Sequence, residues 1–287
     1  WPCTSCPSTN PSFWYGVTFA GSPTLLDFEN TAKANATTFA WRTNAINVYI
    51  NQGKGNGGVS SFPPNDIVVF GATVVDPIFR PAFPGALLHH ELGHYFNLKH
   101  TFDSQPGCPD TTVASCSSCG GGDDDVTDTL LDRACGSTLT YALPGWEWMD
   151  VALKNYGTNW ADTPAQHAAV DDTYYNNMSY HNGGFPYGRF VLYRLTEGQL
   201  DRWTDTADGV RSAVHGGRTW FVSSTGSLSG SGSSTSEFRY VTQGINAAAS
   251  GGGDIVLMRP GTYLLSSLLS KPLTLRATRK GPAVITP

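Results

Sequence analysis

The sequence contains few charged residues and no cluster of basic ones. Charged side chains account for 14% of its 287 residues, with 18 Lys and Arg against 23 Asp and Glu, and the formal net charge is −5. Nucleic-acid-binding proteins carry clustered Lys and Arg, so we expect no nucleic-acid partner. No apolar run reaches the roughly 18 residues that a membrane span requires, so we expect no membrane partner either.

A leader sequence is also lacking. The chain begins at Trp1, without an initiator methionine, a charged segment or an apolar segment at its start. These features predict a secreted, processed protein whose signal peptide has been removed. A chain of this length can form one large domain and a small one without a partner.

Cysteine is scarce but even in number, which suits disulfide bonds in an oxidising compartment. The six cysteines are Cys3, Cys6, Cys108, Cys116, Cys119 and Cys135. The two Cys-x-x-Cys pairs leave two interpretations open, because they can bridge to one another or form a structural four-cysteine zinc site. We favour disulfides, since a secreted protein rarely keeps free thiolates.

The most informative stretch is His90-Glu91-Leu92-Gly93-His94. Residues four apart on a helix share one face, so His90 and His94 can bind one zinc ion through two imidazole nitrogens. Glu91 lies one position round the helix, beside a zinc-bound water. Zinc lowers the pKa of that water, and a neighbouring carboxylate can accept its proton and pass it to a leaving amine. The pattern is therefore typical of a metal-activated hydrolase.

His100 can supply a third ligand only if this helix ends first. It lies six residues after His94, about 600° of helical rotation away and off the shared face. Asn97 stands between them, and Asn is the non-glycine residue that most readily adopts the left-handed conformation that ends helices. We expect the chain to turn at Asn97 and return His100 to the metal, with the fourth position left for water or substrate. His89 faces elsewhere, and we interpret it as a hydrogen-bonded structural histidine.

With these residues the chain resembles the metzincin metalloproteases, whose signature is H-E-x-x-H-x-x-G-x-x-H followed by a Met-turn. Asn97 replaces the glycine of that signature, and Asn176-Asn177-Met178-Ser179-Tyr180 resembles the Met-turn. Three further stretches are similar to the pappalysin family of metzincins: His100-Thr101-Phe102, the acidic residues 124–129 and residues 195–199. The resemblance covers roughly residues 40 to 210.

The resemblance implies an α+β, metzincin-like zinc protease domain with a twisted sheet, an active-site helix, a Met-turn and a C-terminal helix. It implies zinc ligands His90, His94 and His100, and Glu91 as general base and acid. Tyr180 would hydrogen-bond the oxyanion, and Met178 would form an apolar floor. It also implies a Cys108–Cys135 disulfide and cleavage of protein or peptide substrates beside basic residues.

An acidic segment follows the motif, with Asp123, Asp124, Asp125 and Asp128 close together. Charges of one sign at this spacing repel unless they are solvated or bind a cation, and carboxylate oxygens suit Ca²⁺. Because pappalysins carry calcium near this loop, the resemblance implies a calcium site with Asp124 and Asp128 as ligands. A solvated acidic loop is the alternative.

Hydrophobic periodicity places further elements around the motif. We predict an amphipathic helix over 24–40, strands over 46–50 and 66–70, a glycine-rich loop over 53–58 and the zinc helix over 84–98. Aromatic residues between 141 and 172 are typical of the core of a small subdomain. Thr196 and Gln199 form a capping box that starts a helix reaching about Val214.

We divide the chain into a catalytic domain over 1–217, a Ser/Gly-rich linker over 218–236 and a small β-rich segment over 237–287. The last segment is predicted to contain a helix over 238–248, a turn over 259–263, and strands over 254–257, 273–276 and 283–286. It resembles the first coil of a parallel β-helix, and one coil cannot bury its own apolar face.

This resemblance leaves a second function open. The chain would then be a β-helix-type binding or adhesion protein that contacts polysaccharide through its C-terminal segment and carries an inactive protease-like domain. The intact Glu91 favours the protease, because a degenerate site typically loses this base. The function that we predict is a secreted, zinc-dependent endopeptidase.

Overall fold

The computed structural model of the protein describes residues 25–51, 58–71, 83–102, 123–132, 147–179, 194–214, 216–265, 269, 271–278 and 281–287. They form a mixed α+β structure with small sheets, and this level of the predicted fold class is confirmed. The chain divides into two compact units, Trp1–Gln199 and Leu200–Pro287. The division falls earlier than the domain end that we predicted at 217. None of the helices within the described residues is long and apolar enough to cross a membrane.

Among the described residues, the first unit starts with two helices where one was predicted. Helix α1 spans Leu25–Ala34 and α2 spans Ala36–Phe39. They are separated by Asn35, whose φ of −120° and ψ of 48° lie outside the helical region. Both helices contribute buried residues to an apolar cluster that includes Phe28, Ala32 and Phe39.

A three-stranded sheet completes this cluster. Its strands are β1 (Asn47–Asn51), β2 (Gly58–Ser60) and β3 (Ile67–Gly71), in the order β1-β3-β2. Strand β1 is parallel to β3, and β2 is antiparallel to it. The predicted strands over 46–50 and 66–70 are thus present, each shifted by one residue. Strand β2 was not predicted, because its residues are few and adjoin a glycine-rich stretch.

Helix α3 spans Phe83–Tyr95 and carries the histidine motif. It contacts both β2 and β3. We predicted this helix over 84–98. The predicted start is one residue too late, and the predicted end is three residues too late. The difference at the end arises from the turn at Asn97 described below.

A second small core forms between α4 (Trp148–Tyr156) and α5 (Pro164–Tyr174). Its buried centre consists of Val151, Ala152 and Val170, with Trp148, Tyr156 and Trp160 packed around it. The predicted aromatic subdomain core is therefore confirmed for the described residues. Thr163 and Gln166 form a capping box at the start of α5.

Helix α6 spans Glu197–Asp208, and the boundary between the two units falls within it. The predicted capping box is present: the Gln199 N–H donates to Thr196 Oγ at 3.2 Å, and the Thr196 N–H donates to Gln199 Oε1 at 3.1 Å. The helix ends at Asp208 and is followed by a short 3₁₀ turn, Ser212–Val214, instead of continuing to Val214 as predicted.

The second unit contains two stacked turns of parallel strands. Strands β4 (Thr219–Ser227), β5 (Ile255–Met258) and β7 (Thr274–Ala277) form one parallel sheet, and β6 (Gly261–Leu264) and β8 (Ala283–Thr286) form another. Ile255 pairs with Thr274 and Gly261 with Ala283. Helix α7 (Val241–Ala247) packs on β4 and β5. Strand β6 occupies residues that we predicted as a turn.

The linker predicted over 218–236 is replaced by ordered structure. Strand β4 occupies its first half, with Phe221 and Val222 fully buried. A Cβ added to Gly226 would lie 2.4 Å from the Phe238 carbonyl oxygen, and one added to Gly230 would lie 2.3 Å from that of Glu237. The Ser/Gly composition, which we interpreted as flexibility, therefore permits close approach of two backbone segments.

Two acidic residues of α6, Asp201 and Asp208, bind partners near the strands of this second unit. Arg259 forms a bidentate ion pair with Asp201, and its Nε donates to Glu237 Oε1 at 2.6 Å. Asp208 accepts a hydrogen bond from the Thr219 N–H at 2.9 Å. The pKa of Arg259 is raised despite burial, because both carboxylates stabilise its charged form.

Candidate metal centre

Three histidines converge at the C-terminal half of α3. His90 and His94 project from one face of the helix, and His100 returns to them after the helix ends. The Nε2 atoms of His94 and His100 are 3.0 Å apart, and those of His100 and His90 are 3.2 Å apart. All three side chains are buried. The structure therefore brings together the three histidines that the spacing singled out.

Backbone carbonyls orient two of these rings. His90 Nδ1 lies 2.7 Å from the Asn177 carbonyl oxygen, and His94 Nδ1 lies 2.8 Å from that of Leu98. A carbonyl only accepts hydrogen bonds, so each Nδ1 must carry the hydrogen, and each Nε2 of a neutral ring presents a lone pair. Such carbonyl partners are typical of metal-ligating histidines.

The spacing of the Nε2 atoms fits a shared cation. Converging lone pairs repel one another unless a positive charge lies between them. In a tetrahedral site with zinc–nitrogen bonds of about 2.0–2.1 Å, two ligand nitrogens are about 3.3 Å apart, which is close to the separations in the triad. Among the described residues, the three histidines form a group of ligating side chains that could hold a metal ion.

The turn at Asn97 has the hydrogen bonds of a Schellman motif. Asn97 has a φ of 71°, the left-handed conformation that we predicted. Its N–H donates to the His94 carbonyl at 2.9 Å, and the Leu98 N–H donates to the Gly93 carbonyl at 2.8 Å. The same turn brings the Leu98 carbonyl onto His94 Nδ1. The helix end and the orientation of a ligand thus depend on one backbone conformation.

Met178 lies directly against α3. It is fully buried, and a Cβ added to Gly93 would lie 2.4 Å from its sulfur atom. Glycine at this position of the motif lets the Met178 side chain pack on the helix backbone. The predicted floor role of Met178 agrees with this packing, although the contact with Gly93 was not predicted.

Asp132 joins the segment after His100 to the segment of Met178. Its buried carboxylate accepts hydrogen bonds from the hydroxyls of Thr101 and Ser179. The Thr101 N–H also donates to the Met178 carbonyl at 3.3 Å. These bonds hold the chain next to His100 against the segment that carries Met178.

Glu91 lies between α3 and the edge of the sheet. It is 5% exposed. A Cβ added to Gly58, the first residue of β2, would lie 2.6 Å from Glu91 Oε1. The carboxylate therefore sits on the backbone of the edge strand, next to the helix face that bears the triad.

His89 is outside the triad. Burial lowers its pKa, and a side-chain hydrogen bond with Asn177 acts in the opposite direction. Its structural role stays a prediction.

A buried relay of polar side chains supports the Met178 segment. The Met178 N–H donates to Asn176 Oδ1 at 2.9 Å, Asn176 Nδ2 donates to Gln199 Oε1 at 2.8 Å, and Gln199 Nε2 donates to Asp124 Oδ2 at 2.6 Å. The three side chains are at most 1% exposed. The relay links three distant parts of the sequence: the acidic segment, α6 and the Met178 turn.

The carboxylate of Asp124 has a raised pKa. Burial raises it to about 6, although hydrogen bonds from Thr129, Gln199 and Val126 act in the opposite direction. Thr129 Oγ lies 2.5 Å from Asp124 Oδ1 and 2.7 Å from the Val126 carbonyl oxygen. A protonated Asp124 can donate to Thr129 Oγ while Thr129 donates to that carbonyl, so the surroundings accommodate the proton.

Asp128 contacts the first turn of α6. Its Oδ2 accepts the Gly198 N–H at 2.9 Å, and a Cβ on Gly198 would lie 2.6 Å from its Oδ1. Both residues predicted as calcium ligands, Asp124 and Asp128, thus engage protein donors. The described residues do not bring them into a group of three ligating side chains, and the calcium site stays a prediction.

Several predicted site residues lie outside the described residues. They include Tyr180, the candidate oxyanion donor, and all six cysteines. The predicted disulfides and the role of Tyr180 therefore remain predictions.

Gly58, Gly93, Asp132 and the relay function of Gln199 were not predicted. The two glycines carry no side chain whose chemistry could mark them in the sequence. Gln199 was recognised for its local capping role alone. Its bond to Asp124 spans 75 positions of the chain, and no sequence pattern marks such a pair.

Comparison with known proteins assigns the chain to no family. No family model matches it. No curated protein matches it either.

Proposed function

We propose that this protein is a zinc-dependent endopeptidase of the metzincin type, similar to the pappalysins, and that it is secreted. The observation that carries the proposal is the buried triad of His90, His94 and His100, with two rings oriented by carbonyls and Glu91 adjacent. The left-handed Asn97 and the packing of Met178 under α3 support the metzincin class. Tyr180 is the proposed donor to the oxyanion.

The three imidazoles would hold zinc, which when bound supplies a water of lowered pKa and polarises the scissile carbonyl. The Glu91 carboxylate would accept a proton from the attacking water and would return it to the amide nitrogen as the C–N bond breaks. Its near-complete burial keeps the carboxylate close to one position during both transfers.

Strand β2 is the proposed site of substrate pairing. Among the described residues it is an edge strand of the β1-β3-β2 sheet, and its first residue contacts Glu91. An extended peptide can pair with an exposed strand edge through main-chain hydrogen bonds. A peptide added to β2 would run past the carboxylate that transfers the proton.

Casein digestion tests this proposal. We expect the protein to cleave casein, to lose activity in a chelator and to regain it when zinc is added. Glu91→Ala is the control: it should keep about one zinc per chain and lose turnover by orders of magnitude. Cleavage by Glu91→Ala at the rate of the parent would show that the assignment is wrong. Zinc binding without any cleavage would favour the binding or adhesion protein instead.

A further inference from the structure

A side chain at position 58 would meet most of the side chain of Glu91, the proposed catalytic base. A Cβ at position 58 would lie 2.6 Å from Glu91 Oε1, 2.7 Å from Cγ and 2.8 Å from Cδ. These separations are well inside van der Waals contact. An added methyl group would therefore displace the whole end of the Glu91 side chain and not only its tip.

Backbone conformation does not explain why residue 58 is glycine. The described glycines with positive φ are Gly157, Gly232, Gly252, Gly253, Gly261 and Gly281, and Gly58 is not one of them. It pairs with Phe70 in a regular antiparallel register. Glycine weakens a strand because it has no side chain to pack. An alanine would fit this backbone, so the contact with Glu91 is the constraint that favours glycine.

Glu91 has little room to move away from such a group. Its side chain is nearly buried between α3 and β2. Protein interiors are close-packed, so an added methyl group would force the carboxylate into a different position. Displacement of a reacting group by about 1 Å can reduce turnover by about a hundredfold.

We propose that Gly58 is a positioning residue: the absence of its side chain leaves the space in which the Glu91 carboxylate is held against the edge strand. This inference rests on the proposed protease function. It assigns to β2 a second task besides pairing with the substrate, which is to set the position of the proton carrier.

The test compares Gly58→Ala with Val69→Ala. Val69 lies on the neighbouring strand β3, outside the strand proposed to pair with the substrate, and is buried in the cluster of Phe28 and Tyr49. Gly58→Ala should keep its zinc and lower kcat by roughly 10- to 100-fold, with KM changed little. Val69→Ala should lower the melting temperature and leave kcat and KM nearly unchanged.

Removing the side chain that position 58 approaches provides a second test. In Glu91→Ala the three atoms Cγ, Cδ and Oε1 are absent, so an added methyl group at position 58 meets none of them. Gly58→Ala should therefore lower the melting temperature far less in the Glu91→Ala background than it does beside Glu91, and the two substitutions should be non-additive. Where Gly58→Ala folds poorly or loses zinc, Gly58→Ala/Glu91→Ala should recover both.

The outcomes separate the two proposals. If the parent protein shows no chelator-sensitive cleavage, both proposals fall. If the parent cleaves and Gly58→Ala has the same kcat, the positioning role alone is wrong. An equal loss of melting temperature on Gly58→Ala with and without the Glu91 side chain would also overturn the inference, because the contact would not be its cause.

Discussion

Reversing the polarity of the buried relay provides the most detailed test of how the site is supported. Asp124→Asn keeps the shape of the side chain but replaces one acceptor oxygen by an NH₂ group. Three donors converge on the carboxylate: the Val126 N–H, the Thr129 hydroxyl and Gln199 Nε2. Whichever way the new amide is turned, its NH₂ group faces a donor on Val126 or on Gln199. One buried donor therefore loses its acceptor.

The expected loss follows from that conflict. A buried donor without an acceptor costs about 1–3 kcal/mol, so the free energy of unfolding at pH 7 should fall by about this amount. Gln199→Glu should cost more, because it places a second carboxylate where Gln199 Nε2 now lies 2.6 Å from Asp124 Oδ2. Two carboxylates this close cannot both ionise.

The double variant Asp124→Asn/Gln199→Glu restores complementary partners. The introduced carboxylate accepts from the new amide through one oxygen, and its other oxygen keeps the bonds that Asn176 Nδ2 and the Thr196 N–H now make to Gln199. Urea unfolding of the four proteins at pH 7 measures the coupling, which we expect to be about 2 kcal/mol in favour of the double variant. Losses that simply add would refute the relay.

The pH dependence of stability is a second measurement on the same residue. Burial raises the pKa of Asp124 in the folded protein from 3.8 to about 6. The folded state therefore binds the proton more tightly, and the resulting stabilisation is complete below about pH 4 and is lost as the pH rises through about 6. At 1.36 kcal/mol per pKa unit, the contribution of Asp124 to the free energy of unfolding is larger at low pH than at pH 7 and above by on the order of 3 kcal/mol. Asp124→Asn should lack this part of the pH dependence. An unchanged profile would contradict the assigned pKa.

Three further predictions concern other parts of the chain. Asn97→Gly should leave zinc content and activity nearly unchanged, whereas Asn97→Val should weaken zinc retention, because a β-branched residue at a φ of 71° is strained. Calcium should raise the melting temperature, because at a hundredfold excess over Kd it adds about 2.7 kcal/mol to the free energy of unfolding. If adding calcium to a zinc-loaded, calcium-stripped sample leaves the melting curve unchanged, the site is rejected. Truncation at Ser224 removes β5, the partner of Phe221 and Val222 in the sheet, so the product should aggregate; a soluble product with unchanged melting would contradict this.

The features that could be predicted from the sequence depend on neighbours along the chain. Helical spacing places His90 and His94 on one face, and the left-handed tolerance of Asn97 allows the turn that returns His100. Thr196 and Gln199 form a capping box because they are three positions apart in a helix. Each of these interactions closes within a few residues, so the residue types and their spacing were sufficient to predict it.

The features that could not be predicted depend on contacts between distant segments. Strand β2 exists because β3 supplies its hydrogen bonds. The expected linker is ordered because β5 pairs with residues 219–222 and because Ser227 hydrogen-bonds the backbone of Glu237 and Arg239. Backbone pairing of this kind uses groups that every residue carries, so composition alone indicates flexibility instead. The roles of Gly58 and Gly93 arise from the side chains that approach them, Glu91 and Met178. A glycine in the sequence gives no sign of what will pack against it, and for that reason these roles became visible only when the chain was folded.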